Sequence, residues 1–258
     1  MIMINPQIFI MAAITLILAW VGWGILFYRI GIQNRMLIRI TILMLPMSAL
    51  VNLLIKTPVN HFVASFFHLS PEVNVSQPVW YLVFLSFLPP ITEELAKAFP
   101  LAMPEIRKTM KQDALWVGAW SGLGFGLGEI IYLAWTISVS LQYQGTAWYS
   151  YTGFLGERLA VCLVHAMITG IFFYFIQKGQ AISGYLIAVF LHLAVNAGAI
   201  LLALGLIKPW VTSLSLMIMV VFLVLLFENA RKQWELSRQQ SGVSTDVVYF
   251  SRKMHEKE

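Results

Sequence analysis

Seven apolar runs constrain this chain more than any other feature of its sequence. Each is close to the roughly 20 residues that an α-helix needs to cross about 30 Å of hydrocarbon. Because the bilayer core offers no water to backbone N–H and C=O groups, long apolar runs cross it as helices. We therefore expect an all-α fold, a polytopic bundle of seven transmembrane helices. The runs lie near residues 7–28, 37–55, 79–103, 114–137, 153–177, 181–206 and 209–228.

Basic residues predict the orientation of the bundle. Of the 17 Lys and Arg residues, 13 follow spans one, three, five and seven. Short cytoplasmic loops carry the Lys and Arg excess, so we expect the N-terminus outside and the C-terminus in the cytoplasm. The net charge of +5 then reflects this bias and an attraction to the lipid bilayer, and it needs no nucleic-acid partner. The 13 residues are Arg29, Arg35, Arg39, Arg107, Lys108, Lys111, Lys178, Arg231, Lys232, Arg238, Arg252, Lys253 and Lys257.

The spans form one predicted membrane domain over residues 1–228, followed by a charged cytoplasmic tail over 229–258. The first run has no basic residue before it and no small-residue cleavage site, so we interpret it as a retained helix. The longest outer loop is expected at 56–78. The single cysteine, Cys162, excludes an intramolecular disulfide. We expect an integral, multi-pass protein of a bacterial plasma membrane, in which any activity belongs to the bundle itself.

A few charged and polar side chains interrupt spans three to six. Each charge at the centre of a bilayer costs about 2 to 3 kcal/mol, so such residues line a polar cavity or take part in chemistry. Counted from the cytoplasmic ends of their spans, the carboxylates and imidazoles lie roughly 16 to 24 Å deep. Four successive spans thus bring polar groups to one level. The residues are Glu93, Glu94 and Lys97 in span three, Glu129 in span four, His165 in span five, and His192 with Asn196 in span six.

The spans around these residues carry small residues and a proline pair. Small residues four apart let helices approach closely, so packing is the main interpretation of the glycines in span four. A glycine face leading to Glu129 also suggests room for water or an extended substrate. Pro89-Pro90 is expected to break or kink span three just before the Glu pair. The glycines are Gly118, Gly122 and Gly126, with Gly124 and Gly128 on a second face.

In their order along the chain, these motifs resemble those of the intramembrane glutamic proteases. That superfamily groups the CAAX-prenyl proteases with PrsW and the YhfC branch. The CAAX-prenyl branch carries a histidine where this chain has Glu129, so the PrsW and YhfC side is the better match. The motifs are Glu93-Glu94-x-x-Lys97, Phe125-x-x-x-Glu129 and His192-x-x-x-Asn196, with His165 on the span between the last two.

A second resemblance concerns the glycine run from Ser121 to Gly126. Together with His165 and His192, on a seven-span chain with its N-terminus outside, this run is similar to the anterior pharynx-defective subunit of gamma-secretase. That subunit is a non-catalytic membrane scaffold. The resemblance therefore implies a partner-binding function as the alternative to catalysis.

The resemblance to the proteases implies hydrolysis of peptide bonds within or beside the membrane, with a core on spans three to six (79–206). Glu93 is then the general base that takes a proton from water. Glu94 and Lys97 form a structural and electrostatic pair, since three or four residues separate Lys97 from either glutamate. The substrate is a membrane protein or a peptide, and the oligomeric state stays open.

The remaining residues take supporting positions in this hypothesis. Glu129 shares a proton or a water with Glu93, and Phe125 supports the site. His192 and Asn196 lie one turn apart and donate to the developing oxyanion. His165 holds the water, steadies Glu129 or binds a metal.

Two further hypotheses stay open beside the metal-free protease and the scaffold. No cofactor is required, but a zinc-dependent version of the protease would use His165 and His192 with Glu93 and Glu129 as ligands. A proton-coupled transporter would use the same groups as a relay, although the sequence shows no inverted repeat. Glu93→Gln separates protease from scaffold, because a scaffold keeps its partner whereas a protease keeps its fold and loses turnover.

Overall fold

The computed structural model describes residues 4–32, 34–71 and 76–240. Within these ranges, seven helical segments are long and apolar enough to cross a membrane, which confirms the predicted all-α bundle. The α-helices of the described chain are α1 (Gln7–Ile30), α2 (Arg35–Met44), α3 (Met47–Val51), α4 (Thr57–Phe66), α5 (Val79–Ala96), α6 (Pro104–Val139), α7 (Thr152–Gln177), α8 (Ala181–Ala203) and α9 (Pro209–Gln240).

Helices α6 and α7 form the centre of the bundle and make its most extensive interhelical contact. Helices α1 and α2 pack on α6, whereas α8 and α9 pack on α7, and α5 joins the bundle mainly through α8. The four consecutive residues Ala114, Leu115, Trp116 and Val117 on α6 are fully buried, although they point to different sides of the helix. A helix with neighbours on every side is apolar around its circumference. The catalytic candidates on α6 and α7 therefore lie in the best-packed part of the molecule.

The glycines of α6 permit this close packing on two faces. A Cβ added at Gly122 would overlap the backbone carbonyl of His165 on α7, and one at Gly128 would overlap the carbonyl of Leu45 in the second span. The patterns of small residues thus act in helix packing. The prediction of room for water or substrate along this face is wrong, because α7 occupies that space. A Cβ added at Gly126 would lie 3.0 Å from the Cα of Cys162.

The second span is longer than the sequence predicts. It is helical from Arg35 to Phe66, and a π-helical stretch, Asn52–Lys56, joins α3 to α4. The predicted outer loop at 56–78 is therefore wrong in its first part, and residues 72–75 lie outside the described ranges. Such π-helical turns occur frequently at functional sites. Here the turn brings Lys56 into the helix and toward the interior of the bundle.

The proline pair in span three does not break its helix. Helix α5 continues through Pro89 and Pro90 to Ala96, so of the expected break or kink, the break does not occur and the kink stays a prediction. The ring of proline fixes φ near −65°, which suits a helix. Each proline then disfavours the helix only through its missing backbone N–H donor and through local crowding. Just after the prolines, the Thr92 hydroxyl donates to the carbonyl of Leu88, four residues earlier, at 2.7 Å. The Glu pair is thus presented from a continuous helix.

One end of the bundle gathers the start of α6 and the ends of α7 and α9. Asp113 has a non-helical backbone (φ −129°, ψ 35°), so α6 kinks there. Beside the kink, Gln177 Nε2 donates to the carbonyl of Lys111 at 2.7 Å. Trp234 Nε1 donates to the carbonyl of Gln112 at 2.9 Å. These bonds bring basic residues from three helices together, and we call this region the basic end.

The opposite end is tied together by Asn5. Its side chain donates to the carbonyls of Tyr143 (2.6 Å) and Thr146 (3.0 Å), in the connection between α6 and α7. Its backbone N–H donates to the carbonyl of Ser138 at 2.8 Å. At the far end of the chain, α9 runs past the predicted domain boundary at 228, and residues 241–258 of the predicted tail lie outside the described ranges.

Candidate active site

Eight ionisable side chains form a continuous series of contacts inside the bundle. Spans two to six each contribute at least one of them, and they include six of the seven polar residues that the sequence puts at one level. The series joins carboxylates and cations or imidazoles alternately for most of its length. In order of contact it runs Lys56, Glu93, His192, Glu94, Lys97, His165, Glu129 and Arg158.

Glu94 and Lys97 form the innermost ion pair. Lys97 Nζ lies 2.5 Å from Glu94 Oε1, and both side chains are 0% exposed. The backbone carbonyl of Lys97 accepts a hydrogen bond from the Ser121 hydroxyl at 2.8 Å, which fixes the end of α5 against α6. Phe125 on the next turn of α6 lies beneath the ammonium group, 4.9 Å from Nζ to the ring centroid. The predicted pairing of Glu94 with Lys97 is thus present as a buried ion pair, and its structural role stays a prediction.

His165 uses both of its ring nitrogens. A lysine ammonium can only donate, so Lys97 Nζ donates to His165 Nδ1 at 2.8 Å. The proton of this imidazole then sits on Nε2, which donates to Glu129 Oε2 at 3.1 Å. The ring of Phe125 packs edge-on against His165, with centroids 5.5 Å apart. Of the three predicted roles of His165, the contact with Glu129 supports the steadying of that carboxylate.

His192 has one nitrogen anchored and the other directed at Glu93. Glu94 is ion-paired with Lys97 and accepts, so His192 Nδ1 donates to Glu94 Oε1 at 2.6 Å. The other nitrogen, Nε2, faces Glu93 Oε2 at 3.8 Å. That separation is too long for a direct hydrogen bond. The rings of His165 and His192 lie 5.3 Å apart, so the two imidazoles share one wall of the site.

Glu93 is held by only one of its two carboxylate oxygens. Oε1 accepts from Lys56 Nζ at 2.7 Å, whereas Oε2 is buried and has no hydrogen-bond partner among the described residues. The Glu93 residue is 3% exposed, and the Lys56 side chain is 18% exposed. The Glu93 carboxylate thus lies just inside the bundle, with a lysine between it and the exterior.

Glu129 is paired with a cation, Arg158, that lies near the start of α7. Arg158 Nη1 lies 3.1 Å from Glu129 Oε2, and its Nη2 lies 2.6 Å from Glu157 Oε1. His165 Nε2 donates to the same Oε2 atom, so one oxygen of Glu129 has a hydrogen bond from an imidazole and an ion pair with a guanidinium. Glu129 therefore acts as the counter-ion of Arg158 and the anchor of His165, and the predicted sharing of a proton with Glu93 stays a prediction.

Asn196 lies outside this series of contacts. It is half-buried on α8, one turn after His192. In the described part of the chain, no side-chain hydrogen bond involves Asn196. Its amide is therefore available at the edge of the site, and its predicted role toward an oxyanion stays a prediction.

Three of these residues approach the geometry of a metal site. One ligand atom each from Glu93, His165 and His192 lies within 4.8 Å of the others. Tetrahedral zinc with bonds near 2.0 to 2.1 Å needs ligand atoms about 3.3 Å apart. Glu93 and His192 could supply Oε2 and Nε2, but His165 already uses both nitrogens. Zinc would therefore require His165 to release Lys97 or Glu129.

Lys56 and Arg158 are absent from the site that the sequence predicts, because Lys56 begins the expected outer loop and Arg158 lies close to the start of span five. A signal for them does exist in the charge balance. Three carboxylates in spans three and four accompany a single lysine there, so two further cations are needed for neutrality. Lys56 and Arg158, which are not among the 13 basic residues that predict the cytoplasmic side, fill this need.

Comparisons with protein-family models, with curated proteins and with solved structures find no match for this chain. A functional proposal for the site therefore depends on its own geometry and chemistry.

Proposed function

We propose that this protein is an intramembrane protease of a bacterial plasma membrane, which hydrolyses peptide bonds of membrane-embedded or membrane-proximal substrates. The observation that carries the proposal is the facing pair of Glu93 Oε2 and His192 Nε2, 3.8 Å apart. A water beside both atoms could bridge them, since polar groups at such separations are commonly joined through water. A buried carboxylate next to a positioned water is the arrangement that general-base catalysis requires.

Glu93 is the general base in this proposal. As the water oxygen attacks the peptide carbonyl carbon, one water proton passes to Glu93 Oε2. The same proton then moves from Glu93 to the peptide nitrogen as the C–N bond breaks, so a carboxylic acid and an amine are released. His192 orients the water through Nε2, because its Nδ1 is held by Glu94 at 2.6 Å. Lys97 in turn holds Glu94.

Asn196 is the proposed donor to the oxyanion of the tetrahedral intermediate. It follows His192 by one helical turn and therefore lies on the same face of α8. Its half-buried position supports contact with a substrate rather than a structural bond. Removal of one such donor typically lowers the rate by about 100-fold to 1,000-fold.

The exposure pattern around Glu93 supports a substrate that arrives within the membrane. On α5, Ile91 is 43% exposed and Leu95 is 63% exposed, and these apolar side chains flank Glu93 in the sequence. Helix α5 contacts the bundle mainly through α8, so much of its surface faces lipid. A substrate helix can therefore approach along α5 without leaving the bilayer.

The test compares newly formed peptide termini in membranes of cells that express the wild type, Glu93→Gln or Glu105→Gln at equal levels. Glu105 is exposed at the start of α6, so its variant is the matched control for the chemical change. We expect new termini within or beside transmembrane segments in the wild type and in Glu105→Gln, and their loss in folded Glu93→Gln. Identical termini in all three samples would favour the scaffold, whose partner binding should survive Glu93→Gln.

A zinc-dependent version of this protease is the second candidate, favoured by the approach of Glu93, His165 and His192 within 4.8 Å. Zinc would polarise the peptide carbonyl or activate the water. The two hydrogen bonds of His165 weigh against it. Purified protein treated with EDTA or phenanthroline separates the two versions: we expect cleavage to persist, whereas loss of cleavage and its recovery with zinc would establish the metal enzyme.

A further inference from the structure

A cavity lies at the basic end of the bundle, away from Glu93. Its volume is about 400 Å³, within the range of small-molecule sites. On α7, the segment from His165 to Gln177 spans about 18 Å at 1.5 Å per residue, so this cavity is separate from the candidate active site. Its lining includes Lys111, Tyr174, Gln177, Lys178, Trp234 and Arg238.

The lining of this cavity is cationic and partly aromatic. Lys178 Nζ lies 4.3 Å from the ring centroid of Tyr174, and the guanidinium of Arg238 lies 5.0 Å from that of Trp234. Arg238 also pairs with Asp113 at 3.3 Å. With Lys111, three cations surround the cavity and one neighbouring carboxylate compensates for one of them. The cavity thus favours an anion.

Tyr174 supplies a second, independent sign of a ligand. The residue is 6% exposed, and its hydroxyl finds no hydrogen-bond partner among the described residues. Burial of a hydroxyl without a partner is unfavourable, so native proteins usually satisfy such groups. An oxygen atom of a ligand in the cavity would accept this hydrogen bond.

We propose that this cavity binds a phosphate group, carried by the headgroup of an anionic phospholipid. Lysine ammonium groups and a hydroxyl donor suit phosphate oxygens. The cavity lies where membrane-spanning helices end, which is the depth of lipid headgroups. Anionic lipids also attract basic segments next to membrane spans. A soluble phosphate shares the same recognition chemistry, so the experiment distinguishes the two sources.

The experiment measures thermal unfolding of the full chain in phosphatidylcholine nanodiscs. One series adds increasing mole fractions of phosphatidylglycerol, and the other adds inorganic phosphate. The cavity variant is Lys111→Gln with Lys178→Gln. The control is Arg107→Gln with Lys108→Gln, which removes the same charge from exposed positions of the same basic end.

We expect phosphatidylglycerol to raise the unfolding temperature of the wild type and of the control pair. The cavity variant should need at least about tenfold more phosphatidylglycerol for half of the effect, because it loses charge-assisted hydrogen bonds. Tyr174→Phe keeps the ring and its packing. It should also raise the fraction of phosphatidylglycerol needed for half of the effect, by a smaller factor.

Equal weakening of the cavity and control variants would overturn the proposal, because general attraction to anionic lipid would explain the result. Absence of stabilisation by either phosphatidylglycerol or phosphate would also overturn it. Stabilisation by inorganic phosphate alone, lost in the cavity variant, would support the phosphate site and assign it a soluble ligand. Tyr174→Phe keeps the test decisive if the double lysine variant does not fold.

Discussion

At the scale of single residues, the two nitrogens of His192 have separate functions that substitution can separate. An asparagine amide nitrogen lies near the position of Nδ1, so His192→Asn can keep the bond to Glu94 and lose the atom that faces Glu93. The side-chain amide of glutamine lies near the position of Nε2. His192→Gln therefore keeps a polar group facing Glu93 and loses the hydrogen bond of 2.6 Å from Nδ1 to Glu94.

We expect folded His192→Asn to lose about 100-fold or more of its turnover, in line with the size of acid–base and positioning effects. His192→Gln should instead lower the free energy of unfolding by about 1 to 3 kcal/mol, because a donor to buried Glu94 is removed. Cleavage rate and thermal unfolding in detergent, measured on both variants, provide the check. Full activity in His192→Asn would contradict the assigned role of Nε2.

Lys56 allows a second test at this scale. Its ammonium group is 2.7 Å from Glu93 Oε1, so Lys56→Met leaves a buried carboxylate without its counter-ion. Loss of one partner from a buried pair typically costs about 3 to 5 kcal/mol. We expect Lys56→Met to lower the free energy of unfolding by about 3 kcal/mol, whereas Lys208→Met, at an exposed position, should change it by less than about 0.5 kcal/mol.

A double-mutant cycle identifies the origin of this cost. In a Glu93→Gln background the carboxylate charge is absent, so the added effect of Lys56→Met on the free energy of unfolding should be much smaller. Equal costs of Lys56→Met in both backgrounds would mean that the ion pair contributes nothing and that the lysine acts through packing.

The sequence predicts which polar groups belong to the candidate site, but not which of them pair with each other. Glu129 and His165 are visible because they interrupt apolar runs at a matching depth. The sharing of a proton or a water between Glu129 and Glu93 stays a prediction, and the ion pair of Glu129 with Arg158 is one that the sequence does not predict. That outcome depends on side-chain directions and on where a helix ends, and neither follows from residue spacing alone. Asn196 illustrates the same limit, since spacing predicts its face but not its partners.

At the scale of helices, the packing of α6 on α7 sets the position of the site. A Cβ at Gly122 would overlap the carbonyl of His165, which is backbone and cannot rotate aside. We expect Gly122→Ala to destabilise the protein by at least about 1 to 3 kcal/mol, the usual range for overpacking. It should also reduce cleavage, because α7 carries His165.

Gly22→Ala is the matched control for this substitution. Gly22 lies on α1, and a Cβ there would have no neighbouring atom within 4 Å. Alanine has a higher helix propensity than glycine, so this variant should be neutral or slightly more stable. Thermal unfolding in detergent compares the two variants. Equal stability of Gly122→Ala and Gly22→Ala would argue that α6 and α7 can separate without cost.

Helix positions are the most predictable feature of this chain, and helix ends are the least. The seven spans follow from apolar length, because the bilayer imposes one solution on such segments. The extension of the second span to Phe66 and the unbroken passage through Pro89 and Pro90 do not follow from local preferences. In both cases a helix continues where turn-forming or N–H-lacking residues suggest an interruption.

At the scale of the whole molecule, the distribution of charge divides the bundle into two ends. The basic end contains Lys108 at the start of α6, and the opposite end contains Ser150 in the connection after α6. Both residues are exposed, and α6 crosses the membrane once between them. Positive residues concentrate on cytoplasmic loops, so we expect Lys108 inside the cell and Ser150 outside.

The single cysteine makes this orientation directly measurable. Cys162 is buried, so Cys162→Ala gives a background without thiols, in which Lys108→Cys and Ser150→Cys are introduced separately. A membrane-impermeant maleimide on intact cells should label Ser150→Cys and reach Lys108→Cys only after the membrane is opened. The reverse pattern would place the basic end outside, where it would not meet the anionic cytoplasmic leaflet. Labelling of both cysteines in intact cells would contradict a membrane-spanning α6, on which the geometry of the Glu93 site depends.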